Sequence, residues 1–442
     1  MNTIFRALKE RDTAIVFLDK IIVAIKGPVI IAAILLFLNV TEQGFWYTFI
    51  SLSALTGLAE LGFTTIISQF VSHEYANLRF RNGYLVGKRF SLDKAFGLVR
   101  YAIRVYCYIV PIAIVILIVI GGYFFSDESY QILVIWLAYC VLSGLNLVVS
   151  LLQSIYKGFD KVYKTHLIKI LSNVCSILFL VLALACDLGL AALPVSMLFL
   201  LLPSSVLLFR MDKRFWCQII RHKIINKHSW FHEIISLQSK YAVSFLCGYF
   251  IFNLFVPLSF KYQGAIIAGQ LGLTLTIAKA MSAFTYVWIQ SKLPTMNMMA
   301  ARKQRNDLKN LFLMKTKLSM LTFFLGAIML IFLAYIANKY SIYQTRVLKL
   351  PEILLVLSSE LAVVCMSIYA IYVRAHKIEP VHYPSLISAI FIAIIAFYFI
   401  TESDLYNLYI VLNIFQWLVM LPMFLFAGKK AMNKYYLQRI EV

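Results

Sequence analysis

Charge is scarce in this sequence, and acid scarcer still. Of 442 residues 14% are charged and 20 are acidic, where a water-soluble chain carries nearer a quarter charged. A soluble domain of this size must show water a largely polar exterior, and too few charges are present to build one. Cysteine is also sparse: there are seven, an odd number, with no CxxC pair, which excludes a zinc ribbon and a disulfide framework. Cys107, Cys140, Cys175, Cys186, Cys247 and Cys365 fall in or beside apolar runs as small hydrophobes, with Cys217 in a basic loop. The seven histidines lack metal spacing, and no nucleophile elbow or zinc motif occurs. Gly83 to Arg89 looks briefly like a phosphate loop. Its glycines are one residue too close, however, and Arg89 stands where Ser or Thr is required. Chemistry driven by ATP and hydrolysis are therefore not indicated; no cofactor or metal is expected, and the chain is read as not an enzyme.

Apolar sequence is abundant, at 62% of residues. A helix needs about 20 mostly apolar residues to cross a bilayer, and twelve stretches qualify: 15–38, 44–70, 105–124, 131–153, 166–185, 189–209, 236–260, 264–289, 318–337, 353–373, 384–400 and 407–427. None alternates with period two, which excludes an outer-membrane barrel. The first run is broken by Asp19, Lys20 and Lys26 and has no cleavage pattern, so it reads as a retained helix rather than a signal.

The charge excess tests this topology. The chain carries 41 basic residues for a net charge of +21. With both termini cytoplasmic, 34 bases fall on the inner side, four on the outer and three within the spans; the acids divide ten, seven and three. Basic residues mark the cytoplasmic side, so the excess reports orientation. Outer loops are short, the longest about 338–351, which leaves no room for an external catalytic domain. The longest inner loop follows the sixth span and is basic and aromatic. It suggests an amphipathic segment lying at the interface and divides the chain into an N-terminal six-helix bundle (1–210), a linker (211–235) and a C-terminal six-helix bundle (236–442). Two such halves are a common transporter plan, with the site near the midplane.

Ionisable residues inside spans are costly and by default face a bundle interior or wet cavity. Asp19 and Lys26 are seven apart, which returns a helix to nearly the same face; Lys20 points about a quarter turn away. Gly27-Pro28 follows Lys26 and suggests a hinge. In the second span Ser53, Thr56, Gly57, Glu60 and Thr64 form a polar stripe, with Glu60 its single carboxylate. Glu60, then Asp19 or Glu360, are the candidates for ion coupling. In the eighth span Lys279 shares a face with Ala268, Gly272, Thr276, Ser282, Ala283, Tyr286 and Gln290. Arg100 and Arg104, with Lys169, Asn173 and Asn253, are lesser candidates. The substrate-binding set is thus Lys26, Lys279, Lys20, Arg104, Tyr286 and Gln290. Such a cationic set suits an anionic substrate better than a cationic drug. Each position also has a bland reading: snorkelling for Asp19 and Lys20, a packing hydrogen bond for Glu60, and close helix contact for the small residues beside Lys279.

The stretch Thr41-Glu42-Gln43-Gly44-Phe45-Trp46-Tyr47, followed by Ala59-Glu60-Leu61-Gly62-Phe63, resembles the polysaccharide exporters of the MOP superfamily, the O-antigen (Wzx-type) flippases. Tyr156-Lys157-Gly158-Phe159-Asp160-Lys161 and the segment from Tyr262 to Gly272 extend the likeness. The resemblance implies an all-α MOP/MATE-like fold of twelve helices, opening alternately to either side. It also implies a cationic cavity onto which Lys26 and Lys279 map. The implied function is movement of undecaprenyl-diphosphate-linked oligosaccharide from the cytoplasmic to the outer leaflet of the bacterial inner membrane, with ion coupling. Expected partners are that lipid-linked substrate and the bilayer, with a polysaccharide polymerase and chain-length regulator; nucleic acid is not expected. The rivals are a multidrug or cation antiporter of the same superfamily, a polymerase or ligase enzyme, and a scaffold of the assembly machinery.

Overall fold

Helices dominate because the apolar runs have no alternative in lipid: every backbone polar group must be satisfied within its own segment. The computed structural model describes residues 11–226, 228–301, 304–339, 346–376 and 382–437. The terminal tails, whose cytoplasmic placement the charge count anticipates, extend outside these residues, as does part of the expected outer loop 338–351. Ten described helices are long and apolar enough to cross a membrane. The bent pair Val40–Glu60 and Phe63–Tyr75 makes an eleventh when taken as one span. Of the twelve expected spans, the seventh (236–260) is not among these, and the helix there ends at Phe252.

The chain divides into two compact units: Met1–Asn39 with Phe49–Leu246, and Val40–Thr48 with Cys247–Val442. The first includes residues 211–235 and the start of the expected seventh span. Its helices are α1 (Arg11–Phe37), the C-terminal end of α2 (Val40–Ser53), α3 (Thr56–Glu60), α4 (Phe63–Tyr75), α5 (Arg89–Phe124), α6 (Tyr130–Gly158), α7 (Val162–Ala185), α8 (Ala192–Met211), α9 (Lys213–Arg221) and most of α10 (Phe231–Phe252). The hairpin β1 (Leu78–Arg81) and β2 (Tyr84–Gly87) lies between α4 and α5, paired antiparallel. Asn82 and Gly83 form its two-residue turn at φ +51° and +82°, the left-handed conformation that an Asn-Gly hairpin turn requires. The failed phosphate loop is thus half of a hairpin.

α5 has 36 residues, about 54 Å of helix against a hydrocarbon core of about 30 Å. Its first turns therefore project beyond the membrane, where the hairpin and α9 pack on them. α9 turns its amphipathic character to the protein: Phe215, Trp216 and Ile219 join the core that includes Phe96, Tyr156 and Phe159. The apolar face of α9 is thus packed on protein, while Ile220, Ile225 and Phe231 of the same expected interfacial segment stay exposed. Arg100 donates to the carbonyls of Ile219, Ile220 and His222 at its C-terminal end. Asp93, 1% exposed, accepts from the His222 ring and from the Ile225 and Asn226 N–H groups. Asp212 accepts from Tyr156, Lys161 and Lys164 at 2.6, 2.9 and 2.7 Å.

The second unit contains most of α2 and the C-terminal end of α10, followed by α11 (Phe255–Gln263), α12 (Ala265–Gln290), α13 (Leu293–Ala301), α14 (Arg305–Lys339), α15 (Leu350–Arg374), α16 (His382–Glu402), α17 (Leu405–Phe415) and α18 (Leu421–Leu437). A π-helical turn, Gln416–Met420, joins the last two. Several helices leave apolar side chains outward, as Phe324, Ile328 and Phe332 do on α14. That outward apolar surface suits lipid. The protein is a multi-pass membrane protein.

Close packing in the second unit explains two of the quoted motifs. A Cβ on Gly44 would fall 1.9 Å from the Ala265 carbonyl oxygen, and one on Gly272 would fall 2.4 Å from Tyr47. The Gln43 side chain donates to the Gly269 and Arg346 carbonyls at 2.9 and 3.0 Å. Gly44 and Gly269 are thus small because backbone meets backbone, and Gly272 because the Tyr47 side chain lies against it.

Candidate functional site

In the first unit, α1 and α7 meet along a polar seam. Asp19 Oδ2 and His166 Nδ1 are 2.7 Å apart, and Lys26 Nζ donates to Asn173 Oδ1 at 3.0 Å. Both partners lie 147 positions on, so the helices run parallel and the contacts are one heptad apart, about 10 Å. The expected common face of Asp19 and Lys26 is observed. Its counterpart, the heptad His166 to Asn173, could have been read from the same spacing. Asn173 is held by its own Nδ2, which donates to the Lys169 carbonyl. Lys26 has no carboxylate within 4 Å among the described residues, whereas Asp19 has its histidine. Lys20 is exposed, as is Arg104 on α5; neither joins the seam. α1 is continuous through Gly27 and Pro28, so the expected hinge shows no break.

The break lies in the second span. Leu61 and Gly62 adopt φ +48° and +76°, ending α3 and restarting the chain as α4 at a bend of 42°. Four N–H groups at a helix start have no intrahelical partner. The Glu60 side chain takes one of them, accepting from the Thr64 N–H at 3.2 Å and from the Thr64 hydroxyl. Gln238 of α10 donates to the Glu60 and Leu61 carbonyls at 3.1 and 2.9 Å, supplying partners for the acceptors the break exposes. The acidic-Leu-Gly motif is thus a discontinuity with its own cap, and the Glu60 carboxylate is held at it.

A second discontinuity carries the other key lysine. α10 stops at Phe252 and the chain resumes helix at Phe255. Lys279 Nζ, from the middle of α12, donates to the freed Phe252 carbonyl at 2.7 Å. A cation suits the C-terminal end of a helix. Ser282 Oγ, one turn on, donates to Glu360 Oε2 at 3.0 Å. Lys279 and Glu360 both line a cavity of about 20 Å³, with Tyr409 and Gln416, room for about one water-sized particle. Glu360 is 8% exposed. Two of the expected residues, Lys279 and Glu360, therefore gather here, with Tyr286 seven positions on along α12. Gln290 is exposed at the end of α12.

The polar cavity of the first unit went unnoticed in the sequence. It lies at one end of α4, α6 and α7, has a volume of about 620 Å³, and includes Lys169 and Thr64 in its wall. Its signal in the sequence is three short polar faces, on 65–72, 150–157 and 165–169.

No family profile matches the chain, and no curated protein does. Solved structures do. A lipid II flippase, MurJ, in an inward closed conformation is similar with a TM-score of 0.64 at 12% identity, covering 95% of this chain and 87% of that one. An inward-facing multidrug-resistance MATE transporter of the MOP superfamily gives 0.58 at 14% identity over 90% and 94%. A MOP superfamily transporter from Pyrococcus furiosus gives 0.51 at 13% identity over 96% and 97%. These relatives are transporters and flippases, and identities this low speak to fold alone. The chain has the fold of the MOP superfamily transporters.

Proposed function

We propose that the protein is a flippase for a lipid-diphosphate-linked oligosaccharide, of the kind required for O-antigen or a similar surface polysaccharide, working without a catalytic step. The observation that carries this reading is Lys26: an ammonium in a membrane-spanning helix whose partner is an amide oxygen rather than a carboxylate. Such a charge is costly in lipid and becomes favourable when an anion reaches it, as a diphosphate would. Lys279 is the second cation of the site, and Glu360, beside it and buried, is the group assigned to proton coupling. Glu60 and Asp19 remain the further coupling candidates, each already held by its own partner. A multidrug antiporter would be better served by a carboxylate where Lys26 stands.

The test is surface polysaccharide in cells whose own exporter is deleted, with insertion of each variant verified. Lys26→Ala is expected to lower surface polymer about tenfold or more, the scale of one charge-assisted contact. Lys26→Arg is expected to retain part of it, and Lys279→Ala to lower it as well. Undiminished polymer in both alanine variants overturns the reading.

A further inference from the structure

The protein is 62% hydrophobic, yet the 620 Å³ cavity in the first unit is lined by Ser, Thr and Gln side chains together with Lys157, Lys169 and His73. Helix periodicity accounts for the arrangement. On α4, Phe63, Ile66, Ile67 and Val71 enter the core, while Thr65, Ser68 and Ser72, at intervals of three and four, turn to the cavity. α6 does the same with Ser150, Gln153, Ser154 and Lys157, and α7 with Thr165 and Lys169.

Lys157 and Lys169 bring two cations to the cavity, beside the His73 imidazole. The hydroxyls are pre-set as acceptors. Ser72, Ser154 and Thr165 each donate their proton to a backbone carbonyl three or four residues back, at 2.8, 2.8 and 2.9 Å. Their oxygen lone pairs remain for an incoming O–H. Gln69 and Gln153 bring amide donors and acceptors together. The volume lies within the range of about 300–1,000 Å³ typical of ligand sites. Such sites are ordinarily apolar; the alcohols, amides and ammonium groups gathered here suit a polyol bearing an anion.

We propose that this cavity receives a glycosyl phosphate: the sugar hydroxyls against the Ser, Thr and Gln side chains, the phosphate between Lys157 and Lys169. The assignment rests on the flippase reading for the source of the group, which would be the head of the lipid-linked substrate. It places sugar recognition within the first unit alone, at residues separate from Lys26.

The experiment is equilibrium dialysis of radiolabelled glucose 1-phosphate against the full-length protein in detergent, with inorganic phosphate dialysed in parallel and each variant's melting temperature recorded. Saturable binding is expected. The double variant Lys157→Gln and Lys169→Gln should weaken it about tenfold, as loss of charge-assisted contacts does. The milder Ser68→Ala and Ser150→Ala pair should weaken glucose 1-phosphate about threefold and leave inorganic phosphate unmoved. Lys309→Gln, an exposed charge elsewhere, should change nothing. Absence of saturable binding, or binding indifferent to Lys157 and Lys169, overturns the proposal. Equal affinity for inorganic phosphate with silent serine variants does so too, reducing the cavity to an anion trap. A short-chain prenyl diphosphate-linked glucose should compete at least as well as the free phosphate; failure to compete detaches the cavity from lipid-linked substrate. Dialysis requires no translocation. Export that persists with silent cavity variants therefore defeats this site alone, whereas saturable binding in a protein shown not to export defeats the flippase reading alone.

Discussion

Asp212 holds together the inner end of the first unit. Burial alone would push its carboxyl up, but the hydrogen bonds from Lys164, Tyr156 and Lys161 outweigh that and hold it below the ordinary carboxylate range. A depressed folded value means that the carboxylate stabilises the fold above its unfolded value of about 3.9, and that this contribution is lost as pH falls through the folded value. The melting temperature in detergent, followed by tryptophan fluorescence, should therefore fall as pH drops below about 4. Asp212→Asn should lower it already at neutral pH, because Lys161 and Lys164 lose their counter-charge, and should flatten the acid limb. An acid limb as steep in the variant as in the parent would assign the effect to other carboxylates. Gly44 makes the same point about side chains that are missing. Its motif looked functional in the sequence and is explained by a carbonyl that leaves no room for a Cβ.

The broken second and seventh spans show what the sequence displayed at the level of elements and what it hid. Hydropathy marks where a segment must be apolar, so nearly all the crossings were legible. It is blind to backbone dihedrals, so the left-handed Leu61-Gly62 pair and the stop at Phe252 were not. The Glu60 stripe was seen, but the amide that completes its site, Gln238, lies 178 positions away, and no local pattern announces it. Likewise the amphipathic face of α9 was evident, whereas burial against protein rather than lipid depends on elements folded around it. The Asn-Gly hairpin, by contrast, was a readable signal. The break itself makes a quantitative expectation. Gln238→Ala deprives two backbone carbonyls of their donor, which should cost about 1–3 kcal/mol. Gly62→Ala, at φ +76°, should cost about 1–2 kcal/mol of backbone strain. Detergent melts of both variants check this, and a melting temperature unchanged in Gln238→Ala would mean that water already serves those carbonyls.

For the whole molecule the decisive quantity is the placement of 41 bases and 20 acids along spans that alternate in direction. The same residues that give the net charge of +21 sort almost entirely to one side once the crossings are laid out, and the structure puts the long basic segment after α8 against the inner end of α5. This orientation can be measured directly. In a chain with its seven cysteines replaced, Ser129→Cys, exposed just before α6, should react with a membrane-impermeant maleimide in intact cells. Lys213→Cys, exposed at the start of α9, should react only after permeabilisation. Reversed labelling would leave 34 basic residues on the outer face, against the rule that Lys and Arg are retained inside. It would also turn the mouth of the cation-lined cavity away from the compartment in which lipid-linked sugars are assembled, so the orientation and the proposed direction of transport stand or fall together.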